Sequence, residues 1–273
     1  DVRYIRNKGK VLSPTIQIKR DKSYFVFPVE SEVVLPKKVD KVVGIDLGLN
    51  SLATLCVMDD KGTIYERKFV TNNKETDLLN HLLNKKKKLQ RNKKSIKSIF
   101  REINNCQDRL EIYICKEIIK FALDNNAKAI VFEHLSPYMK ARGSYKEKIH
   151  LWRKKGIANR LSHMAHLNGL RYSTVCAKNT SRLAFDGSGE VSRGKDAGFK
   201  NNKMCKFKNG KEYNCDLSAS YNIAARYFIR EKIKPFEEEE TQRLKLEAKC
   251  PLAFNGTSNV YSTLINLNVV LEA

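Results

Sequence analysis

Three acidic residues follow sequence patterns that would bring them to one edge of a β-sheet. Asp46 ends the apolar run VVGI, Glu133 ends the run AIVF, and Asp216 opens a helical pattern. A carboxylate at the end of an apolar strand is costly to bury unless a cation or a partner neutralises it. Together, such acids would bind a hard divalent cation, Mg²⁺ or Mn²⁺. Two such ions about 3.5–4 Å apart can hydrolyse a phosphodiester by activating water and stabilising the leaving oxygen.

Each acid taken alone has a simpler explanation as a helix cap or a surface charge. Asp216 in particular would be a good N-cap for the residues that follow it, LSA. The metal-site interpretation therefore depends on elements that bring the three carboxylates together.

The predicted elements have the order of an RNase H-like α/β domain, a mixed sheet flanked by helices. Strands are predicted from short apolar runs, and helices from apolar positions that recur every three or four residues. In order, the elements are strands at 41–46, 52–58 and 63–70, a helix through about 96–121, a strand at 128–133, a helix at about 157–169, a strand at 171–177 and a helix at 216–229.

This core occupies residues 40–234 of the predicted domain organisation. Residues 1–39 read as an extended hairpin, with strands at 15–19 and 24–29, and they fit the end of a β-rich domain. Residues 178–214 are rich in Gly, Asn and Lys and look like an insertion. Residues 235–273 are expected to be an acidic, flexible tail.

The charge of the chain points to a polyanionic partner. Among 273 residues there are 52 Lys and Arg against 30 Asp and Glu, a net charge of +22, while 41% of residues are hydrophobic, which excludes a disordered chain. Nine basic residues and no acid lie between Lys85 and Arg101, and eight basic residues with one acid lie between Met139 and Arg160. Separated basic runs of this kind favour binding to a phosphate backbone over a merely solvated helix face.

The cysteines and the apolar runs predict a cytoplasmic protein. Seven cysteines, an odd number at irregular spacing, are expected to be reduced and mainly structural. No apolar run approaches the ~20 residues that a membrane helix needs, and no membrane partner is expected.

Three segments resemble the RuvC motifs of the TnpB (OrfB) proteins of insertion sequences, which are similar to the nuclease half of type V CRISPR effectors. GIDLGLNSLAT at 44–54 resembles the first motif, IVFEHL at 130–135 the second, and NCDLSASYNIA at 214–224 the third. The likeness extends from about residue 10 to 232. It implies that Asp46, Glu133 and Asp216 are the metal-binding catalytic acids of an RNA-guided DNA endonuclease.

The same resemblance implies the roles of the flanking parts. The hairpin would be the C-terminal end of a wedge, or OB-like, domain, and basic helices at about 76–125 would form a lid. The partners would be a DNA target and a guide RNA encoded near the element, with the protein on the nucleoid when bound. The residues predicted to hold nucleic acid are Lys85, Lys86, Lys87, Lys88, Arg91, Lys93, Lys94, Arg153, Lys154 and Lys155. Trp152 beside the last three could stack on a base, or simply be packed.

One feature departs from the family pattern. A zinc ribbon with two Cys-x-x-Cys pairs usually precedes the third motif, but here the matching stretch, NTSRLAFDGSG at 179–189, has no cysteine. Cys205 and Cys215 cannot complete a four-ligand site at normal spacing, so zinc is not expected. His163 and His166 lie one turn apart and could bind a metal, but packing or a nucleic-acid face explains them more simply.

Two alternatives to the endonuclease stay open at the level of sequence. A relative that has lost catalysis could use the same fold as a DNA-binding repressor, although all three acids are present. A transposase or recombinase with an RNase H-like core would join DNA ends rather than only cut them, because this fold supports both reactions.

Overall fold

The computed structural model describes residues 9–19, 22–48, 51–134 and 153–273. Trp152 and most of the basic run at 139–160 lie outside this description. The chain divides into two compact units between Leu35 and Pro36, four residues before the predicted boundary.

The first unit contains two antiparallel strand pairs. β1 (Lys10–Val11) pairs with β4 (Val29–Glu30), and β2 (Thr15–Lys19) pairs with β3 (Lys22–Val26). The second predicted strand therefore begins two residues earlier than its alternation suggested. Ile16, Ile18 and Phe25 are 63%, 76% and 68% exposed, so this unit buries little apolar surface of its own.

The second unit is built on a five-stranded mixed sheet. Its strands are β5 (Lys41–Asp46), β6 (Ala53–Asp59), β7 (Ile64–Val70), β8 (Ala129–His134) and β9 (Arg171–Cys176). Their order is β7-β6-β5-β8-β9, in which β5, β6 and β7 form an antiparallel meander and β8 and β9 add parallel to β5. The predicted RNase H-like architecture is confirmed.

Helices cover both faces of this sheet. They are α1 (Asn73–Arg91), α2 (Lys97–Asp124), α3 (Lys154–Leu167), α4 (Cys215–Glu237), α5 (Glu240–Lys249) and α6 (Tyr261–Glu272). Successive residues of a strand point to opposite faces. Val43 and Ile45 therefore enter the core formed with α1, α2 and α3, whereas Val42 and Val131 enter the core formed with α4, α5 and α6.

The basic lid is two helices with a turn between them. Lys93 adopts a left-handed conformation with φ 51°, and the backbone N–H of Lys94 bonds to the carbonyl of Leu89, which ends α1. Lys93 and Lys94, which are among the residues predicted to hold nucleic acid, therefore lie in the turn between α1 and α2 and not on a helix.

The insertion before α4 forms a small subdomain. Its strands β10 (Ser192–Arg193), β11 (Met204–Lys206) and β12 (Glu212–Asn214) form an antiparallel sheet. Cys205, Phe207 and Cys215 form a buried apolar cluster beneath it, and the rings of Phe185 and Tyr213 pack edge-on with centroids 4.9 Å apart. Apolar packing therefore joins this subdomain to the start of α4.

The C-terminal part corrects the expectation of a flexible tail. α4 continues through Pro235 to Glu237, and the next helices pack on the face of the sheet that α4 covers. Leu264 and Leu267 of α6 are fully buried. The glutamates at 237–240 made this segment look like a solvated tail, but the apolar positions beyond them give it a packed face.

All seven cysteine thiols are free, and six of them are buried. None of the helices in the described parts of the chain is both long and apolar enough to cross a membrane.

Gly44 allows α4 to lie directly on β5. A Cβ atom at this position would be 2.5 Å from the backbone oxygen of Ser220 and 2.8 Å from the Cβ of Ala224. On the neighbouring strand, the thiol of Cys56 donates to the same Ser220 oxygen at 3.3 Å. The missing side chain therefore sets how closely the helix approaches the strand that ends in Asp46.

The variant Gly44→Ala should lower the free energy of unfolding by about 1–3 kcal/mol, because the added methyl meets backbone that cannot move without shifting α4. Urea unfolding measures this change. Gly256→Ala is the control, since a Cβ there would meet no atom within 4 Å. Equal stability of the two variants would contradict the close contact between α4 and β5.

The variant Leu264→Ala should lower the free energy of unfolding by about 2–5 kcal/mol, because it leaves a cavity in the core under α6. Val269→Ala on the same helix should change it little, since Val269 is 63% exposed. Thermal and urea unfolding compare the two variants. A flexible C-terminal segment would make both substitutions neutral.

Candidate active site

The three predicted acids meet at one edge of the sheet, on the face that α4 covers. Asp46 is the last residue of β5, and Glu133 is the next-to-last residue of β8. These strands are parallel neighbours, and Ile45 pairs with Phe132. The next residue of each strand is the acid, so Asp46 and Glu133 lie side by side. Side chains alternate between the two faces of a strand, and both acids fall on the face that α4 covers. Asp216 reaches the same place from the first turn of that helix.

Asn214, and not Asp216, caps α4. The side-chain oxygen of Asn214 accepts hydrogen bonds from the backbone N–H groups of Asp216 and Leu217, both at 3.0 Å. The N-cap explanation for Asp216 is therefore wrong. Because another residue satisfies the start of the helix, the Asp216 carboxylate is left for the site, where the positive end of the helix favours a negative charge.

The charges of Glu133 and Asp216 act on Asp46. Asp46 is 9% exposed, and burial raises its pKa to about 8, with further increases from the charges of Glu133 and Asp216. Lys154 and Arg193 oppose this shift in the pKa of Asp46. Burial also raises the pKa of Asp216, against the charges of Arg193 and Lys203. The fold thus holds negative charge in a place where it is poorly compensated.

A buried hydroxyl beside Asp46 has no hydrogen-bond partner within the described part of the chain. Thr54 lies directly opposite Asp46 in the pairing of β5 with β6, and its Oγ1 is fully buried. Buried polar atoms are nearly always satisfied in native proteins. The Thr54 hydroxyl therefore marks a place suited to water or an ion.

The donor set suits a divalent cation. Carboxylate oxygens are the ligands that Mg²⁺ and Mn²⁺ prefer, and a cation would offset the burial and the repulsion that raise the pKa of Asp46. Among residues 9–19, 22–48, 51–134 and 153–273, no three His, Cys, Asp or Glu side chains already form a group that could hold a metal. Cation binding would therefore require these side chains to adjust. The histidines of α3, His163 and His166, are exposed.

Glu133 is held by a residue that the sequence did not single out. The hydroxyl of Thr180, in the loop after β9, hydrogen-bonds to Glu133 Oε1. Thr180 is 1% exposed. The sequence also did not single out Arg193, which lies in the insertion. Neither residue could be found from the sequence, because no strand or helix periodicity connects an insertion to a distant sheet edge. Their proximity to the acids is a product of tertiary structure.

The residues predicted to hold nucleic acid fall into different environments. Lys85, Lys87, Lys88 and Arg91 are exposed on α1, where they line a surface concavity of about 480 Å³. Lys86 is instead buried, with its ammonium 5.4 Å from the centre of the Phe100 ring. It is thus packed against α2 and does not belong to the exposed face.

The three basic residues at the start of α3 also differ. Arg153 forms an ion pair with Asp108 and donates to Asn104 at 3.0 Å, which ties the helix to α2. Lys154 is close enough to Asp46 to lower its pKa. Lys155 is exposed. Of the three, Lys154 is the residue that the fold directs toward the acids.

The comparisons with known proteins agree with this geometry. The family model described as the RuvC nuclease domain matches residues 23–258. A search of curated proteins gave no match.

Two solved structures share the fold. A Cas12f1-sgRNA-target DNA complex superposes with a TM-score of 0.55 at 16% identity, covering 77% of this chain and 55% of that chain. A CRISPR-Cas12f ternary complex superposes with a TM-score of 0.53 at 14% identity, covering 77% of this chain and 44% of that chain. This chain therefore spans about half the length of the proteins in those structures.

The variant Asp46→Asn should stabilise the protein in the absence of divalent cations. The pKa of Asp46 is raised from 3.8 to about 8 in the folded protein, so folding favours the neutral carboxyl. The stability that this group contributes is complete below about pH 4 and is lost as the pH rises to about 8. Asparagine stays neutral, so the variant should exceed the wild type by about 5 kcal/mol at pH 8 and by less than about 1 kcal/mol at pH 4.

Urea unfolding in EDTA at several pH values measures this difference. Adding Mg²⁺ should reduce it, because the cation stabilises the ionised carboxylate of the wild type. A difference in stability that is independent of pH would contradict the assigned electrostatics.

Proposed function

The chain belongs to the RuvC nuclease domain family, and we propose that it is the nuclease part of an RNA-guided DNA endonuclease of the TnpB type. Asp46, Glu133 and Asp216 are the proposed catalytic acids, with Mg²⁺ or Mn²⁺ as the cation. The observation that carries this proposal is the position of Asp46, Glu133 and Asp216 at the same end of the sheet, where burial and the two neighbouring carboxylates raise the pKa of Asp46 to about 8.

A cation requirement follows from that observation. RuvC nuclease domains generally use divalent metals. When bound here, the cation would supply Lewis-acid activation of water and stabilisation of the leaving oxygen. The three carboxylates would hold it, and Asp46 would release its proton as it binds. The unpaired hydroxyl of Thr54, opposite Asp46, would orient water at this site.

Basic side chains would place the phosphodiester against the acids. Lys154 and Arg193 are near enough to affect Asp46, and Lys203 affects Asp216. These three cations are suited to the scissile phosphate. The exposed residues of α1, Lys85, Lys87, Lys88 and Arg91, would hold the nucleic-acid backbone farther along.

RNA and DNA as partners are supported by several observations. One of the matching structures is a Cas12f1 complex with sgRNA and target DNA, and the other is a Cas12f ternary complex. The net charge of +22 suits two nucleic acids. The resemblance of 44–54, 130–135 and 214–224 to TnpB motifs favours a guide encoded by the same mobile element.

The variants Asp46→Ala and Glu133→Ala should abolish DNA cleavage, because each removes a proposed cation ligand. DNA binding should stay near the wild-type level, since the basic surfaces are unchanged. Cleavage is measured on plasmid DNA in Mg²⁺ and in EDTA, and binding by electrophoretic mobility shift. Asp124→Ala is the control, because Asp124 is exposed at the end of α2.

Retained cleavage in either variant would overturn the assignment of the acids. The guide is tested separately by sequencing the RNA that copurifies with the protein and offering plasmids with and without its complement. Cleavage of both plasmids alike would leave a nuclease without RNA guidance. Joined DNA ends among the products would favour a transposase.

A further inference from the structure

A loop outside the three catalytic motifs holds one of the catalytic acids. Thr180 lies just after β9, at the start of the insertion, and its Oγ1 is within hydrogen-bonding distance of Glu133 Oε1 and, at 3.0 Å, of the backbone oxygen of Ala177. A carboxylate at a strand end can rotate about several side-chain bonds. The Thr180 hydroxyl restricts that rotation, so the position of this loop controls the position of the Glu133 oxygen.

Asn222 of α4 fixes the loop. Its amide nitrogen donates to the backbone oxygens of Thr180, at 2.9 Å, and Leu183, at 3.0 Å. Its amide oxygen accepts from the backbone N–H of Tyr261 at 3.0 Å. Asn222 is fully buried, and these three bonds satisfy both ends of its carboxamide. The side chain thereby joins the loop to the first residue of α6.

Arg226, one turn farther along α4, joins the same two segments. Its guanidinium donates to the carbonyls of Cys176 and Lys178 on the loop side. On the other side it donates to the carbonyls of Asn259, at 2.8 Å, and Thr257, at 3.2 Å. Arg226 is 4% exposed, and burial lowers its pKa. Backbone carbonyls of both segments thus surround a buried cation.

These contacts give the segment from Thr257 to Tyr261 a place in the active-site scaffold. It is bound to α4, which also carries Asp216, and through Asn222 to the loop that carries Thr180. Asp46 and Glu133 each lie one residue beyond the last β5–β8 pair, and each is paired on its other side, with Thr54 of β6 and Val175 of β9. Strand pairing fixes the two backbones, while the Thr180 hydroxyl holds the side chain of Glu133.

We propose that Thr180 and Asn222 are positioning residues: Asn222 holds the 176–183 loop against the C-terminal segment, and Thr180 thereby orients the Glu133 carboxylate for cation binding. This inference rests on the proposed nuclease function. Neither residue is a proposed cation ligand, and their effect is transmitted through Glu133.

The first experiment replaces the hydroxyl of Thr180. Thr180→Val keeps the volume of the side chain and should lower kcat for DNA cleavage about 10–100-fold, with KM for DNA within about twofold. The affinity for Mn²⁺, measured by isothermal titration calorimetry without DNA, should fall by a similar factor. Thr180→Ser should restore both values. Ser220→Ala is the matched control, because Ser220 is buried but its hydroxyl bonds within its own helix, to Leu217.

The second experiment removes the link between the loop and the C-terminal segment. Asn222→Ala should increase hydrogen exchange in residues 176–183 and 257–261 and lower kcat in parallel. Asn268→Ala is the control, since its amide donates to the carbonyl of Asp60 and has no contact with the loop. It should leave exchange in those two segments and kcat unchanged.

The outcomes separate this inference from the function on which it rests. If the wild type cleaves DNA and Thr180→Val has the same kcat and the same affinity for Mn²⁺, the positioning role is overturned and the nuclease proposal stays intact. A wild-type protein that binds Mn²⁺ without cutting DNA would overturn the nuclease proposal, while weaker Mn²⁺ binding by Thr180→Val would still support positioning. Wild-type protein that does neither would overturn both.

Discussion

Asp46 is buried beside two other carboxylates, and its pKa of about 8 means that the folded protein keeps this group protonated at neutral pH until positive charge compensates it. Much of the fold serves to create this arrangement. Two parallel strands carry Asp46 and Glu133 to one edge, and Gly44 lets the helix with Asp216 come into contact with the same strand. The resulting repulsion costs stability, as is common at functional sites.

Helix α4 organises the site at several positions along its length. Asn214 caps it, Asp216 projects from its first turn, and Ser220 sets its contact with Gly44. Asn222 and Arg226 then bind the loop after β9 and the segment before α6. This helix carries Asp216, one of the proposed catalytic acids, and also holds the loop whose Thr180 bonds to Glu133, so it helps to fix the position of Asp216 relative to Glu133. This explains why the C-terminal helices are packed rather than free.

Some of the basic residues stabilise the fold, and others are exposed on the surface or act on the acids. Arg226, Arg153 and Lys86 are used inside the domain, where they bind carbonyls, pair with an acid or pack on an aromatic ring. Lys154 and Arg193 act on the acidic centre, while the exposed residues of α1 face solvent. A net charge of +22 therefore overstates the number of cations available to nucleic acid.

The sequence by itself determined the strands, the order of the elements and the three acids, because buried strands and their terminal carboxylates leave a local pattern of hydrophobicity. It gave no indication that Asn214 rather than Asp216 caps α4, that Lys86 faces inward, or that residues 261–272 form a packed helix. Nor did it reveal the path from Tyr261 through Asn222 and Thr180 to Glu133. Those contacts join residues 39 to 47 positions apart in the chain, and hydrogen bonds between such distant segments depend on how helices and loops dock, which no local periodicity encodes.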